Sequence, residues 1–259
     1  MDEEIGAALP SGVAISWGLV KPSQRGPKRE LSIQQIVQAA IAIADKEGIS
    51  AVSMGRVAAS LGFTTMSLYR YIPSKDDLLL LMQDAVCDVP IPVEEAGADW
   101  RESMREYVQV TIQLLRAHAW FGDIPVSGVP MTPNHLRFVD WALRTTRVLP
   151  LNDYEKMSVV LLLSSYARSC GILMRDMDRA IQAGSTPGAF SGLDYSAALK
   201  QLVSPEQFPN LYPVIMSGVY TEENAEQSPV GNDFDFGLER ILDGIERYVA
   251  SKKKADNGE

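Results

Sequence analysis

Apolar positions recur along this chain at spacings of three and four, without sustained alternation, so the pattern predicts helices and no strands. The clearest run lies between residues 32 and 81. Ser32 with Gln35 has the spacing of a capping box, and Leu31 is placed to staple Ile36. Ile33, Ile36, Val37, Ala40, Ile41 and Ala44 then form one stripe that ends at Gly48. Ser53 caps a second helix with Met54, Val57, Ala58 and Leu61 inward, and Gly62 turns the chain. Thr64 or Thr65 opens a third helix reaching Ile72, with Leu68 and Ile72 inward and Pro73 as its stop. Ser74 caps a fourth, whose first turn holds Asp76 and Asp77 and which runs to about Asp88.

Longer helices follow. Asp99 caps one from Trp100 to about His118, with Trp100, Met104, Tyr107, Val108, Thr111, Leu114 and Leu115 on a broad face. Another spans Thr132 to about Leu149, inward at Leu136, Val139, Leu143 and Val148. Asn152 with Glu155 is a second capping box and opens the longest helix, to about Ala183. Between Met157 and Met174 its one charge is Arg168, a pattern that predicts burial on most sides. Ser164, Ser165, Ser169, Cys170 and Gly171 are small enough for close helix approach. Short helices are expected near 194–203 and 205–217, and a last amphipathic one over 235–250. The resulting fold class is all-α, divided as 1–30 (a flexible extension), 31–73 (three short helices), 74–251 (a larger helical domain) and 252–259 (a disordered tail). Within the extension, Ile15–Val20 around Trp17 is an apolar island able to dock.

The net charge of −9 argues against nucleic acid, but its distribution reverses that inference. From Lys21 to Lys75 eight Lys and Arg stand against three acids, +5, which leaves −14 on the remainder. A basic segment on an acidic body suits a local phosphate contact. Cys87 and Cys170 read as buried free thiols rather than a disulfide framework. No signal peptide is visible, and the longest apolar run, Val159–Leu163, is far short of the roughly 18 residues of a membrane span, so a cytoplasmic protein is expected. His118 and His135 lack metal-ligand spacing, and no nucleophile–base pair or phosphate loop is present, so neither metal, cofactor nor catalysis is expected.

Two helices joined by a three-residue turn containing Gly can set the second into the DNA major groove. With Leu68 and Ile72 inward, Thr65, Met66, Ser67, Tyr69, Arg70 and Tyr71 remain for DNA, Arg70 for the two acceptors of a guanine and Thr65 and Met66 for a thymine methyl or another base edge. Ser53, Tyr69 and Lys75 are of the type that bonds phosphate. The segment Lys21–Arg29, including Lys28 and Arg29, has two readings: a solvated tail, or an arm along phosphates or in the minor groove.

Residues 33–81 resemble the DNA-binding domain of the tetracycline-repressor (TetR) family of bacterial regulators. The resemblance is carried by IVQAAIAIADKEGISAVSM and RVAASLGFTTMSLYRYIPSKDDLLLLM. It implies a homodimer on a near-palindromic double-stranded operator, with Tyr69 and Lys75 at phosphates and Thr65 and Ser67 at the start of the reading helix. It further implies that the remaining helices bind a small-molecule effector and dimerise, the 152–183 and 235–250 helices forming the interface. An arginine that contacts DNA in the tetracycline repressor is replaced here by Gly55, so that contact is either absent or supplied by Arg56, Arg70 or the basic arm, and the operator sequence does not carry over. Trp100, Met104, Tyr107, Trp120, Phe121, Trp141, Arg168 and Met174 are the candidate effector-site residues, though such aromatics serve equally as core. Arg168 needs a partner, either an acid of the fold or a group on the ligand. The expected function is a repressor released by a small hydrophobic or amphipathic ligand. The alternatives are a ligand-binding protein that no longer reads DNA, and an activator.

Overall fold

A computed structural model of the chain describes residues 8–20, 31–93, 97–125, 128–182, 193–219 and 233–256, and every regular element among them is helical. We number the helices α1 (Ser11–Ser16), α2 (Ile33–Glu47), α3 (Met54–Leu61), α4 (Thr65–Tyr69), α5 (Lys75–Val86), α6 (Trp100–Ala117), α7 (Pro133–Thr145), α8 (Asp153–Gln182), α9 (Leu193–Leu202), α10 (Tyr212–Met216) and α11 (Asp233–Asp256). A short 3-10 turn, Ala119–Asp123, links α6 to the loop before α7. The chain forms two compact units, 1–172 with 252–259, and 173–251.

The caps of α2, α3 and α5 are those the sequence encodes. Ser32 Oγ accepts from Gln35 N while Gln35 Oε1 accepts from Ser32 N. Ser53 accepts from Arg56 N, and Ser74 accepts from Asp77 N. Gly62 ends α3 in the left-handed conformation, φ 75°. Asn152 and Glu155 complete the second capping box. Ile36, Val57, Leu68, Ile72 and Leu78 are fully buried and close the core of α2 to α5.

Four expectations change. Residues 11–16 of the supposed flexible extension form α1, which packs on α5 with Val13, Ala14 and Ile15 buried. Gly12 N donates to Asp77 Oδ1 at 2.6 Å, and the backbone comes so close that a Cβ at Gly12 would lie 3.2 Å from Asp77 Cα. Trp17, about half exposed, adds one further contact, its Nε1 donating to the Met131 carbonyl at 2.8 Å, while Val20 at the end of the apolar island stays exposed. Second, α7 turns a different face inward. Phe138, Trp141, Ala142 and Thr145 are buried, whereas Leu136 and Val148 are exposed, because the two aromatic rings remove the most apolar area from water. Third, α8 is not covered all round: Val159, Val160, Leu163 and Ala167 are buried, but Tyr154, Met157, Leu161 and Leu162 are exposed. Its close approach occurs at Gly171, where a Cβ would sit 2.9 Å from Leu115 Cβ of α6. Fourth, α11 runs to Asp256 through the supposed disordered tail, and Lys252 pairs with Glu155 at the start of α8. The Lys252–Lys254 run suits the negative end of that helix.

In the second unit, α9 and α10 pack together around Ile215, and α11 buries Leu238, Leu242, Ile245 and Val249 on one stripe.

Candidate DNA-reading face and effector site

α3 and α4 are joined by Gly62, Phe63 and Thr64, and α4 is anchored from behind by Leu68 and, just past its end, Ile72. Both anchors are completely buried, which leaves the opposite side to solvent. Met66 is 72% exposed and Tyr69 43%, Arg70 is exposed, and Thr65, Ser67 and Tyr71 are half-buried. The helix itself is shorter than the expected Thr64–Ile72, ending at Tyr69. Thr64 forms no side-chain cap to the backbone; its hydroxyl instead bonds that of Ser67 at 2.9 Å. Ser53 and Lys75 are exposed at the starts of α3 and α5, with Ser53 Oγ engaged as the α3 cap. Lys28 and Arg29 lie outside the described residues.

A Cβ at Gly55 would lie 3.6 Å from Thr65 Oγ1, an ordinary van der Waals separation, so sterics do not demand glycine there. Arg56 is one candidate to take over the role of the arginine that Gly55 replaces, and it forms an ion pair with Glu47 of α2.

The expected effector-site residues fall into three groups. Tyr107 and Trp141 come together between α6 and α7, with Phe138 as a member the expected α7 face leaves out, and Met104 is fully buried on α6. Tyr107 stands edge-on to Trp141 at 5.4 Å, and its hydroxyl bonds Ser164 of α8 at 2.9 Å. Burial pushes the Tyr107 phenol pKa up, partly offset by the hydrogen bonds to Ser164 and Thr111. Trp120, Phe121 and Arg168 gather at the 3-10 turn. Trp120 Nε1 donates to Asp45 Oδ1 of α2 at 2.6 Å, and Arg168 donates to the carbonyls of Gly122 and Ile124 at 2.9 and 3.1 Å. Of the other two, Trp100 is half-buried beside Arg101, and Met174 is half-buried in the second unit.

The helix that carries α4 into the body is pinned at its far end as well. Asp84, 7% exposed on α5, accepts from Asn134 N, Asn134 Nδ2 and His135 N, and so caps α7 from another helix. Periodicity could not find this residue, since a carboxylate on an inward face looks like an error until its donors are placed. Burial lowers the His135 pKa, with Asp84 opposing, and burial beside Asp84 pushes the Cys87 thiol up to about 12.

Comparison with known proteins gives this arrangement a family. Residues 91–249 match the family described as "Tetracyclin repressor-like, C-terminal domain", and residues 36–82 match "Bacterial regulatory proteins, tetR family". The chain belongs to the TetR family. It is a DNA-binding transcriptional regulator, as the relatives of this TetR-family chain are. It is 34% identical over 247 residues to the HTH-type transcriptional repressor DrrR1 of Streptomyces coeruleorubidus, covering 92% of this chain and 85% of that one. It is 23% identical over 239 residues to the HTH-type transcriptional repressor Rv1353c of Mycobacterium tuberculosis, covering 90% and 87%. Among solved structures it is similar to apo ActR from Streptomyces coelicolor, at 26% identity and TM-score 0.69, covering 87% of this chain and all of that one. ActR in complex with actinorhodin is similar at 28% identity and TM-score 0.68, covering 83% and 95%.

Proposed function

We propose that this regulator is a cytoplasmic homodimeric repressor that leaves a near-palindromic operator when a small hydrophobic or amphipathic ligand enters its body. The observation that carries the reading is the two-sided α4: fully buried anchors at Leu68 and Ile72, and an outward set of Thr65, Met66, Ser67, Tyr69 and Arg70. Arg70 reaches a guanine edge, where a bidentate contact contributes about 1–3 kcal/mol of discrimination. Ser53, Tyr69, Tyr71 and Lys75 hold phosphates, with Lys28 and Arg29 adding charge from the segment ahead of α2.

Dimerisation is supported by the exposed Tyr154, Met157, Leu161 and Ser165, which share a face of α8 at spacings of three and four. A second copy would cover this apolar row isologously. The effector site is centred on Met104, Tyr107 and Trp141, where the Tyr107–Ser164 hydroxyl pair is a polar handle among rings. Crystal structures of ActR hold actinorhodin and (S)-DNPA, which makes these two compounds sensible first probes here. Release requires a ligand with higher affinity for the shape that no longer fits the operator, typically by about 1–3 kcal/mol of coupling.

The test is selection of genomic fragments by the purified protein, followed by anisotropy titrations with candidate effectors. A palindromic site bound by two protomers and released by an effector is the expected result. A protein that retains ligands but enriches no fragment is not a repressor.

A further inference from the structure

Trp120 is completely buried, and a buried indole N–H needs an acceptor. The acceptor is Asp45, on the last turns of α2 in the DNA-reading head, 75 residues away in sequence. The same oxygen, Asp45 Oδ1, lies 2.9 Å from His118 Nδ1, which donates to it in the tautomer that carries the proton there. Two donors from one short turn therefore converge on one carboxylate of α2. The turn has its own clamp. Arg168, midway along α8, donates to the carbonyls of Gly122 and Ile124, at and just beyond the end of that turn. A charged side chain on a mostly apolar helix is thus turned toward backbone, and that backbone carries the groups that hold the head.

We propose that Asp45 is the positioning residue that sets the DNA-reading head on the body, through Trp120 and His118, and that Arg168 acts on it through the 119–123 turn. The proposal deepens the operator-binding reading above and rests on it. Asp45 touches no DNA; it fixes the angle of α2, on which α3 and α5 pack, and so fixes where α4 points. The carboxylate suits the task because one oxygen accepts both donors, and hydrogen bonds to a charged acceptor are stronger than neutral ones. An effector that displaced the turn would let go of the head without touching it.

The experiment uses the full chain and its selected operator fragment, with random-sequence DNA of equal length as control. Asp45→Ala and Trp120→Phe should each weaken operator binding about tenfold, the worth of roughly one charge-assisted hydrogen bond. Random-sequence affinity should stay within about twofold, since phosphate contacts supply it. Asp45→Asn, which keeps an acceptor oxygen, should recover most of the loss. The Asp45→Ala/Trp120→Phe double variant should be no worse than either single one, as expected of two ends of one contact. Arg168→Gln should weaken operator binding in the same direction. Hydrogen exchange supplies a second readout that needs no DNA: in Trp120→Phe, amides at the C-terminal end of α2 should exchange faster, with those of α6 unchanged.

Folded Asp45→Ala and Trp120→Phe proteins that bind operator as the unaltered chain does would overturn the proposal. So would losses shared equally between operator and random DNA with a lowered Tm, the mark of a purely structural contact. Arg168→Gln that keeps operator affinity and loses only the effector response would make Arg168 a ligand residue instead. If the unaltered chain selects no operator, the repressor reading fails, and the exchange experiment still decides whether the contact holds α2.

Discussion

The head, α2 to α4, and the body helices α6 and α7 bury similar residue types yet present their chemistry in opposite ways. In the head, each helix shows a simple apolar stripe inward, and polar side chains such as Arg70 and Thr65 point outward with few internal duties. In the body, the groups that carry chemistry are themselves inside. Tyr107, Phe138 and Trp141 meet edge-on or tilted with ring centroids 5.4–6.1 Å apart, and the polar atoms of Tyr107 and Trp120 are matched to Ser164 and Asp45. A surface that reads a regular polymer can be preformed and wet. A site for a small apolar molecule shares its materials with the core, so its residues hold the fold together until a ligand replaces some of those contacts.

That contrast can be broken most forcefully at Trp141. If it is core, Trp141→Ala should cost about 3–5 kcal/mol in urea unfolding; a loss well under that, with tighter binding of a bulky ligand, would place the ring in a pocket instead. Next in size, Arg70→Ala should lose about 1–3 kcal/mol of operator discrimination while unfolding free energy stays within about 0.5 kcal/mol, as for most surface changes. Anisotropy on operator and scrambled fragments measures the first, urea titration the second. Replacing both Lys28 and Arg29 by Ala should flatten the salt dependence of log K by about 0.9 for each phosphate no longer neutralised; equal slopes would assign these residues to a solvated tail. The smallest effect sits at the seam between the two regions. Cys87, at the end of α5, has a thiol pKa pushed up to about 12 from an ordinary 9.0. Its folded pKa is raised, so the stability it contributes is complete below pH 9 and is lost as pH rises toward 12. Urea midpoints at pH 8 and pH 10.5 should therefore fall further apart in the unaltered chain than in Cys87→Ala.

The head was legible because its signals are local. Ser32–Gln35, Ser53, Gly62 and Ser74 each act within four residues, and the structure places every one as a cap or turn. Where the same local logic met a choice, it faltered. On α7 two stripes compete, 136-139-143 and 138-141-145, and spacing alone does not say that Phe138 and Trp141 remove more area from water than Leu136 and Val139. On α8, apolar composition predicted burial that the chain does not supply at Tyr154 or Leu161, since composition alone does not say which sides of a helix its neighbours cover. The links between elements lay furthest from view. Asp84 capping α7 and Asp45 holding Trp120 join residues at least 50 apart, and no pattern within either acid's own helix names its partner.

The docking of α1 bears on the first turn of α5. Asp77 Oδ1 accepts from Gly12 N, and Asp77 Oδ2 accepts from Ser74 Oγ, the hydroxyl that caps α5. One carboxylate thus joins the cap of α5 to a helix that precedes the whole head in sequence, and Gly12 is the residue whose lack of a Cβ permits the approach. Cutting the chain anywhere from 12 to 17 would therefore loosen the start of the helix that follows α4, far along the sequence from the cut.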